Sequence, residues 1–319
     1  MSRIEAMSSI AGAPGRAPVL VGDGFLPVEL AESMRRDVEA HFAAPSAHRP
    51  DTHQVWNYWF VPELYTYLRT SPEKVIHRDR VKSFIEALGG WSLAVLGMGR
   101  VTWPYLSLYV GGCRQGWHND SGNGRFAYVY SLTKNERRTV GGETLVLRED
   151  DPFRSNLARP TAGRGLYEMI EPRFNRLVVF DDRLPHAVER VDGAMDPVEG
   201  RFVLHGHLSE AGPVVSGALP ANATLEPIVA ALRAFITEAS ATAALYNGPL
   251  VLHLSIDPAG SVKNCAVLLD RVMHRDPGEA GWDILRARLV ALLGELKFPH
   301  AEGETVVLLP VMFNALPTS

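Results

Sequence analysis

The apolar positions in the amino-terminal third of the chain predict two helices. Over residues 28–42, four apolar side chains recur at helical spacing, which places them on one face of an amphipathic helix. They are Leu30, Met34, Val38 and Phe42. A second helix is predicted over residues 79–88, with Gly89 and Gly90 expected to end it. The aromatic side chains of residues 57–69 favour core packing, with a substrate entrance as the alternative.

The stretch from residue 91 to residue 207 shows the alternation and the short apolar runs that are typical of strands. In one of these strands Leu106, Leu108 and Val110 share a face, and Tyr109 falls on the other. Further strands are predicted where apolar runs lie between turn signals, at residues 126–132, 141–147 and 177–180. Residues 148–175 are polar and contain prolines, which predicts either a long loop or an insertion that covers a site.

The carboxy-terminal third of the chain predicts a separate small unit. Residues 211–223 are small and contain prolines, as in a linker, and residues 224–243 have the apolar spacing of a helix. Residues 249–313 predict a compact β-β-α-β unit, which is similar to the carboxy-terminal domain of TonB-like proteins. We expect this α+β unit, residues 224–319, to serve recognition or association, including the formation of a homo-oligomer.

The composition is that of an ordinary soluble globular protein, with 46% hydrophobic and 21% charged residues. A net charge of −4 offers no basic surface for nucleic acid, and no apolar run reaches the length of a membrane span. Two cysteines, Cys113 and Cys265, form neither a disulfide framework nor a zinc pattern. This cysteine usage favours a reducing, cytoplasmic setting. Residues 1–17 predict a flexible tail without the apolar core of a signal peptide.

A candidate metal site is formed by His118, Asp120 and His186. On an extended strand, residues i and i+2 point to the same side, so His118 and Asp120 can reach one metal ion. His186 follows the apolar run at residues 177–180 and supplies a third ligand from a neighbouring strand. Two imidazoles and one carboxylate suit Fe(II) and leave coordination positions open for a cosubstrate and O₂. Thiolate ligands, which would favour structural zinc, are absent from this set.

A bare His-x-Asp is a weak signal in a chain with 11 histidines, and its surroundings strengthen it. Four motifs include or follow it, and in order along the chain they are Tyr-x-x-Gly-x5-His-x-Asp, Gly-Gly-Glu-Thr, Phe-x5-His and Gly-Arg-x-x-Leu-x-Gly. They resemble the 2-oxoglutarate- and Fe(II)-dependent dioxygenases, and most of all the prolyl-4-hydroxylase-like branch. The resemblance covers about residues 18–210 and is strongest over residues 105–207.

The resemblance implies a mainly β fold, a double-stranded β-helix or jelly roll with flanking helices. It implies that His118, Asp120 and His186 bind iron, that Arg201 pairs with the distal carboxylate of 2-oxoglutarate, and that Tyr109 lies near this cosubstrate. Two features depart from the family pattern. The gap from His186 to Arg201 is long, with a loop at residues 192–197 to absorb the extra length, and His207 stands where the family often has Trp.

Five further residues are candidates for lining the pocket, and two of them, Tyr130 and Ser131, are alternatives to each other. Thr144 follows Gly141 and Gly142 and is expected to face it. Parity alone does not decide whether Tyr130 or Ser131 faces the cosubstrate. His205 and His207 share a strand face with Arg201, which makes them candidates for substrate or outer-shell contacts, with a structural role as the favoured alternative.

The function implied is hydroxylation of an unactivated C–H bond with release of succinate and CO₂, since a carboxylate at Asp120 leaves no room for the halide of halogenating relatives. The branch favours a prolyl or other residue of a peptide or protein as substrate, with a free amino acid or small metabolite as the alternative. A non-catalytic β-helix binding protein is the alternative outside enzymes. The expected cofactors are Fe(II), 2-oxoglutarate and O₂, with ascorbate as a further candidate.

Overall fold

The computed structural model describes residues 19–43, 55–147, 167–274 and 281–314. These residues divide into two compact units, of which the first contains residues 19–91 and 100–209. The second contains residues 92–99 and the residues that follow Ser209. The tail predicted at residues 1–17 and most of the loop or insertion predicted at residues 148–175 lie outside the described residues.

The first unit combines fourteen described strands with two long helices. The helices are α1 (Val28–Ala43) and α2 (Arg78–Leu96), and the last five residues of α2 cluster with the second unit. The strands are β1 (Val19–Asp23), β2 (Asn57–Val61), β3 (Tyr65–Thr70), β4 (Arg100–Val101), β5 (Tyr105–Tyr109), β6 (Arg114–His118), β7 (Phe126–Ser131), β8 (Thr139–Val140), β9 (Thr144–Leu147), β10 (Tyr167–Ile170), β11 (Arg176–Asp181), β12 (His186–Val188), β13 (Asp192–Gly193) and β14 (Arg201–Ser209).

The main sheet of this unit is antiparallel and curls back on itself. Its strand order is β1-β11-β7-β14-β5-β3-β6-β12-β9-β10, with β2 added beside β3 and β4 beside β14. In a flat sheet, the five steps from β14 to β9 would separate these strands by roughly 24 Å. Instead, Arg201 of β14 donates a hydrogen bond to Thr144 of β9 over 3.1 Å. This closure confirms the mainly β, jelly-roll-like fold and encloses a cavity between the two halves of the sheet.

Helices α1 and α2 cover the outer side of this sheet. Phe84 of α2 lies against Tyr130 of β7, with 4.9 Å between ring centroids. The buried Arg35 of α1 donates hydrogen bonds to the backbone oxygens of Leu132 and Val198. The predicted helix at residues 28–42 is therefore confirmed, and its apolar face packs as expected.

The expected end of the second helix at Gly89 and Gly90 is wrong, because α2 continues to Leu96. Glycine disfavours a helix by only about 1 kcal/mol per residue, and the burial of Trp91 and Leu96 outweighs this cost. The helix ends instead at Gly97, whose positive φ of 69° suits a helix terminus.

Several shorter segments differ from the sequence prediction. The predicted strand at residues 141–147 is shorter in the structure and begins only at Thr144 as β9, because Gly141 and Gly142 adopt positive φ and separate it from β8. Within the predicted loop, residues 167–170 form β10 on the edge of β9. The predicted loop at residues 192–197 contains β13, which pairs with β8.

The second unit is a separate α+β structure with its own core. Its five-stranded sheet has the order β15-β19-β16-β17, with β18 beside β16. Its elements are β15 (Val214–Gly217), α3 (Ala221–Glu238), α4 (Ser240–Ala243), β16 (Tyr246–Ile256), β17 (Val262–Asp270), β18 (Met273–His274), α5 (Trp282–Gly294) and β19 (Thr305–Phe313). Buried leucines of β16 meet Leu285 and Leu289 of α5 in this core.

The small α+β unit expected from the sequence is thus confirmed as a fold class, while its likeness to TonB-like domains stays a prediction. The predicted linker at residues 211–223 differs from the structure, since it contains β15 and the start of α3. Strand β15 pairs with β19, so these residues belong to the sheet of the second unit. Among the described residues, no helix has both the length and the apolar character needed to cross a membrane.

Candidate active site

The candidate site lies in the cavity enclosed by the curled sheet, which has a volume of about 560 Å³. Side chains that point inward from β3, β5, β7, β14 and the opposite strands line it. The antiparallel register explains their convergence, because Ser107, Ser131 and Val203 are direct neighbours across three adjacent strands. Residues two positions away on each strand therefore share the same inner face.

His118 and His186 face each other directly across the paired strands β6 and β12. Their ring centroids lie 4.2 Å apart. Nδ1 of His118 lies 2.8 Å from the backbone oxygen of Gly116, and Nδ1 of His186 lies 3.0 Å from that of Leu184. A carbonyl oxygen accepts only, so each Nδ1 carries the proton and each Nε2 keeps a lone pair for a metal ion.

Asp120 completes a group of three ligand atoms that all lie within 4.8 Å of one another. Its Oδ2 is 3.4 Å from Nε2 of His186. Burial opposes ionisation of Asp120, but when His186 is protonated its hydrogen bond and charge outweigh burial and lower the pKa to about 2. Metal binding would replace that proton on Nε2 and leave His186 neutral. Burial also lowers the pKa of His118. Two neutral imidazoles and one ionised carboxylate are the donor set that fits Fe(II).

The position of Asp120 depends on a turn rather than on the strand. Strand β6 ends at His118, and its pairing with β12 contains a bulge between Gln115 and His118. A bulge re-aims the side chains that follow it. The backbone N–H of Asp120 donates to the oxygen of Asp182 over 3.0 Å, which anchors the turn. From the sequence, His118 and Asp120 were expected to point to the same side of one strand. That expectation predicted the right cluster, but the structure forms it with a bulge and a turn.

Arg201 is fully inside the cavity, with 2% of its surface exposed. Its Nη2 donates to Thr144 Oγ1, while its Nε and Nη1 find no hydrogen-bond partner among the described residues. A buried guanidinium with unsatisfied N–H groups is costly, so these donors point to an anionic ligand. A carboxylate of 2-oxoglutarate fits this requirement. The stem of Arg201 lies so close to Gly142 that a Cβ there would be 3.0 Å from Cδ.

Tyr109 packs beside Arg201, whose guanidinium carbon lies 4.8 Å from the centre of the tyrosine ring. The hydroxyl of Tyr109 donates to Oε1 of Gln115, and the amide nitrogen of Gln115 donates to Nε2 of His118 over 3.1 Å. Gln115 thus links the Arg201 end of the cavity to the metal ligands. The sequence prediction missed it, although its place on the same strand as His118 was an available signal.

His205 and His207 both line the cavity, with side-chain partners that the sequence did not indicate. Nε2 of His205 lies 2.8 Å from the hydroxyl of Ser107. Burial, together with the charges of Arg69 and Arg201, lowers the pKa of His205 to about 3. Nδ1 of His207 lies 3.2 Å from the buried carboxylate of Asp182, which the prediction missed. Burial disfavours the charged form of His207, but this contact outweighs it and raises the pKa.

Ser131, and not Tyr130, lies on the inner face of β7. Ser131 is the direct neighbour of Val203, two residues from Arg201 along β14. Tyr130 points to the outer side, where its hydroxyl donates to Asn175 and its ring meets Phe84. Of the two residues that strand parity left open, Ser131 is therefore the one on the inner face of the sheet, while a contact with the cosubstrate stays a prediction.

Aromatic side chains surround the mouth of the cavity. Strand β2 is exposed along its whole length, with Tyr58 61%, Trp59 40% and Phe60 58% exposed. Core packing, the favoured interpretation from the sequence, is therefore wrong for β2, although it holds for Tyr67, which is 4% exposed. The ring of Tyr65 lies 5.4 Å from that of His118, so this aromatic cluster reaches the metal ligands.

Comparisons with known proteins agree with this site. Residues 105–208 match the family model described as the 2OG-Fe(II) oxygenase superfamily. This segment contains the three metal ligands, Thr144 and Arg201. The chain therefore carries a 2OG-Fe(II) oxygenase domain and is a 2-oxoglutarate-dependent dioxygenase that uses Fe(II), 2-oxoglutarate and O₂. The alternative of a non-catalytic binding protein is thereby set aside.

Solved structures with a similar shape include two prolyl hydroxylases. One is a prolyl hydroxylase from Trichoplax adhaerens in complex with a peptide fragment of a hypoxia inducible factor oxygen degradation domain. It is 15% identical and covers 63% of this chain and 87% of its own, with a TM-score of 0.45. The other is a prolyl-4-hydroxylase from Pseudomonas putida, 17% identical over 66% of this chain and 97% of its own, with a TM-score of 0.44. No curated protein sequence matches the chain.

Proposed function

We propose that this 2OG-Fe(II) oxygenase domain hydroxylates an unactivated C–H bond on a prolyl or other residue of a peptide or protein, releasing succinate and CO₂. One observation carries the proposal. A single cavity holds both the three clustered ligand atoms of His118, Asp120 and His186 and the buried, incompletely paired guanidinium of Arg201. A metal site alone, or a buried arginine alone, would have many uses, and together they suit iron with a dicarboxylate cosubstrate.

Each of these groups has a separate task. His118, Asp120 and His186 would hold the metal, which with 2-oxoglutarate and O₂ supplies the oxidising chemistry. Arg201 would bind the distal carboxylate of 2-oxoglutarate, and Thr144 fixes the guanidinium through the hydrogen bond to Nη2. Tyr109 packs against the same guanidinium and, through Gln115, connects it to His118. This arrangement orients the cosubstrate relative to the metal and excludes water from its buried end.

The form of the cavity mouth supports a peptide as substrate. Strand β2 pairs only with β3 among the described strands, so its other edge presents unpaired backbone groups. An extended peptide can add to such an edge by backbone hydrogen bonds, while exposed aromatic side chains take up its side chains. Trp59 lines the cavity and provides such a side chain, whereas Tyr58 and Phe60 alternate with it on the opposite face of β2.

A free amino acid or small metabolite is the second candidate. A cavity of about 560 Å³ lies within the range of small-molecule sites, roughly 300–1,000 Å³, and therefore favours this candidate independently of β2. The two candidates differ in which contacts they need, since a free amino acid would not use the edge of β2.

The experiment that tests the proposal combines turnover with mass spectrometry. The full chain with Fe(II), 2-oxoglutarate and O₂ is incubated with proline-containing peptides in one series and with free amino acids in another. We expect succinate formation above the substrate-free rate, and a gain of one oxygen atom on a peptide residue. Oxygen gain only in the free amino acids would favour the second candidate, and no gain in either series would overturn the proposed hydroxylation.

A further inference from the structure

We propose that Arg69, at the mouth of the cavity, binds a carboxylate of the peptide substrate, so that the hydroxylated residue has a carboxylate within a few positions along the chain. This inference rests on the proposed peptide hydroxylation and names the chemistry that selects the substrate. Arg69 lines the same cavity as the metal ligands. The roles proposed above for the metal ligands and the cosubstrate-binding residues do not involve it.

The guanidinium of Arg69 is held between two aromatic rings. Its central carbon lies 3.7 Å from the centre of the Trp59 ring and 4.1 Å from that of Tyr105. A guanidinium is planar, and stacking occupies its two faces while its N–H groups point outward in the plane. Trp59 in turn stacks on Tyr67, and Tyr67 stacks on Tyr109. Of the two rings that hold Arg69, Trp59 therefore belongs to a row of stacked aromatic side chains along the cavity wall. The rings thus orient a fork of donors that matches a carboxylate.

The charges in the cavity leave Arg69 without a partner of opposite sign. Among the described residues no ion pair involves Arg69, although it is partly buried. The charged residues that line the cavity besides the histidines are Arg69, Asp120 and Arg201. With Fe(II) and the dianion of 2-oxoglutarate in place, the metal and the dianion balance each other, as do Asp120 and Arg201. The charge of Arg69 remains, and an anionic group of the substrate would neutralise it.

The position of Arg69 sets the spacing to the reacting residue. Tyr65, Tyr67 and Arg69 alternate along β3 and therefore share the inner face. The ring of Tyr65 lies 5.4 Å from that of His118, and Arg69 is four residues farther along, about 13 Å in an extended strand. An extended peptide rises by the same amount per residue, so the carboxylate would lie within about four residues of the residue that is hydroxylated.

The test uses the full chain and a library of nonapeptides with a central proline. Each flanking position carries Asp, Glu, Asn, Gln or Lys in turn, with an acetylated amino terminus and an amidated carboxyl terminus. A parallel series with a free carboxyl terminus distinguishes a side-chain carboxylate from a terminal one. Immobilised protein loaded with Mn(II) in place of Fe(II), and with 2-oxoglutarate, retains peptides without turning them over. Mass spectrometry then measures the retained fraction of each peptide.

We expect the wild-type protein to retain carboxylate-bearing peptides about tenfold or more over their amide counterparts, as a directional, partly desolvated charge pair would give. Arg69→Gln should remove this preference. Arg69→Glu should reverse it in favour of Lys, a gain that a merely damaged fold does not produce. Arg36→Gln is the matched control, because Arg36 is 65% exposed on α1, and it should keep the wild-type preference.

The same library, incubated with Fe(II) and O₂, separates this inference from the proposed function. Hydroxylated peptides with no preference for a carboxylate would overturn the role of Arg69 and leave the function standing. Selective retention without any oxygen gain would keep the role of Arg69 and overturn peptide hydroxylation. A carboxylate preference that persists in Arg69→Gln and Arg69→Glu would assign it to another residue, and absence of both retention and oxygen gain would overturn both proposals.

Discussion

At the scale of single residues, hydrogen bonds fix the orientation of the side chains that would bind the metal and the cosubstrate. Backbone oxygens hold Nδ1 of His118 and His186, and this leaves each Nε2 facing Asp120. Thr144 takes up one nitrogen of Arg201 and leaves the other two unpaired in a buried place. In both cases the protein fixes the orientation of the group before any ligand binds, which lowers the cost of binding.

Arg201 supports a prediction about the cosubstrate. Arg201→Ala should raise the concentration of 2-oxoglutarate needed for half-maximal turnover by about 30-fold or more, because a buried charge pair contributes several kcal/mol. Fe(II) affinity should stay within a few-fold of wild type. Arg201→Lys should restore little, since an ammonium group lacks the planar fork of donors. Steady-state kinetics and Fe(II) titration measure the two quantities, and an unchanged 2-oxoglutarate requirement would place the carboxylate clamp elsewhere.

The sequence revealed the residues whose chemistry is tied to a motif, and not those whose role depends on a distant partner. His118, Asp120, His186 and Arg201 stand in recognisable order and spacing. Asp182 carries no such signal, because its pairing with His207 exists only after β14 folds beside β7 and the loop before β12 closes over them. The contacts of Arg69 with Trp59 and Tyr105 likewise join three strands, β2, β3 and β5. The pattern of apolar positions within one strand does not predict contacts between different strands.

At the scale of elements, one asparagine ties three parts of the first unit together. Asn175 is buried with a positive φ of 60° between β10 and β11. Its side chain accepts from the backbone N–H of Leu26 and from the hydroxyl of Tyr130, and its amide nitrogen donates to the backbone oxygen of Leu26. The segment that precedes α1 is thereby fastened to β7 and to the turn before β11.

Removing this junction should destabilise the first unit. Asn175→Ala leaves three buried polar groups without partners and strains the positive φ, so we expect a loss of about 2–4 kcal/mol in the free energy of unfolding. Tyr130→Phe removes only one hydrogen bond and should cost about 1 kcal/mol. Denaturant titration of both variants measures the difference. A loss below that of Tyr130→Phe would show that water satisfies the Asn175 partners equally well.

The elements that the sequence predicted correctly are those with a long apolar period. Helix α1 and strand β16 belong to this class, because burial of one face decides their structure. Local signals failed where tertiary packing opposed them. Gly89 and Gly90 did not end α2, and the small, proline-containing segment before α3 became β15 by pairing with β19.

At the scale of the whole molecule, the chain combines an oxygenase unit with a second unit that has its own core. The inner cavity and its ligands lie in the first unit, and the apolar cluster around Leu252 and Leu289 belongs to the second. The jelly-roll architecture followed from the family resemblance and not from strand periods alone, which do not reveal the order of strands in a sheet. Association through the second unit and a cytoplasmic location stay predictions.

The two-unit organisation predicts the result of a truncation. A chain that ends at Ser209 should still bind Fe(II) and 2-oxoglutarate and form succinate slowly, but it should lose affinity for its substrate or for a partner copy, since a tethered unit raises effective concentration. Residues 92–99 cluster with the second unit, so the thermal transition is a necessary control. Loss of soluble yield, thermal transition and substrate-free turnover together would show that the two units fold as one cooperative structure.

The most direct test of the account measures Fe(II) binding and substrate-free conversion of 2-oxoglutarate to succinate in His118→Ala and His186→Ala. Wild type and the control His77→Ala, whose side chain is 66% exposed, should bind iron and form succinate. Both ligand variants should remain folded and lose at least about 100-fold in Fe(II) affinity, with succinate formation falling in step. Wild-type iron affinity and wild-type succinate formation in either ligand variant would contradict the assigned metal site.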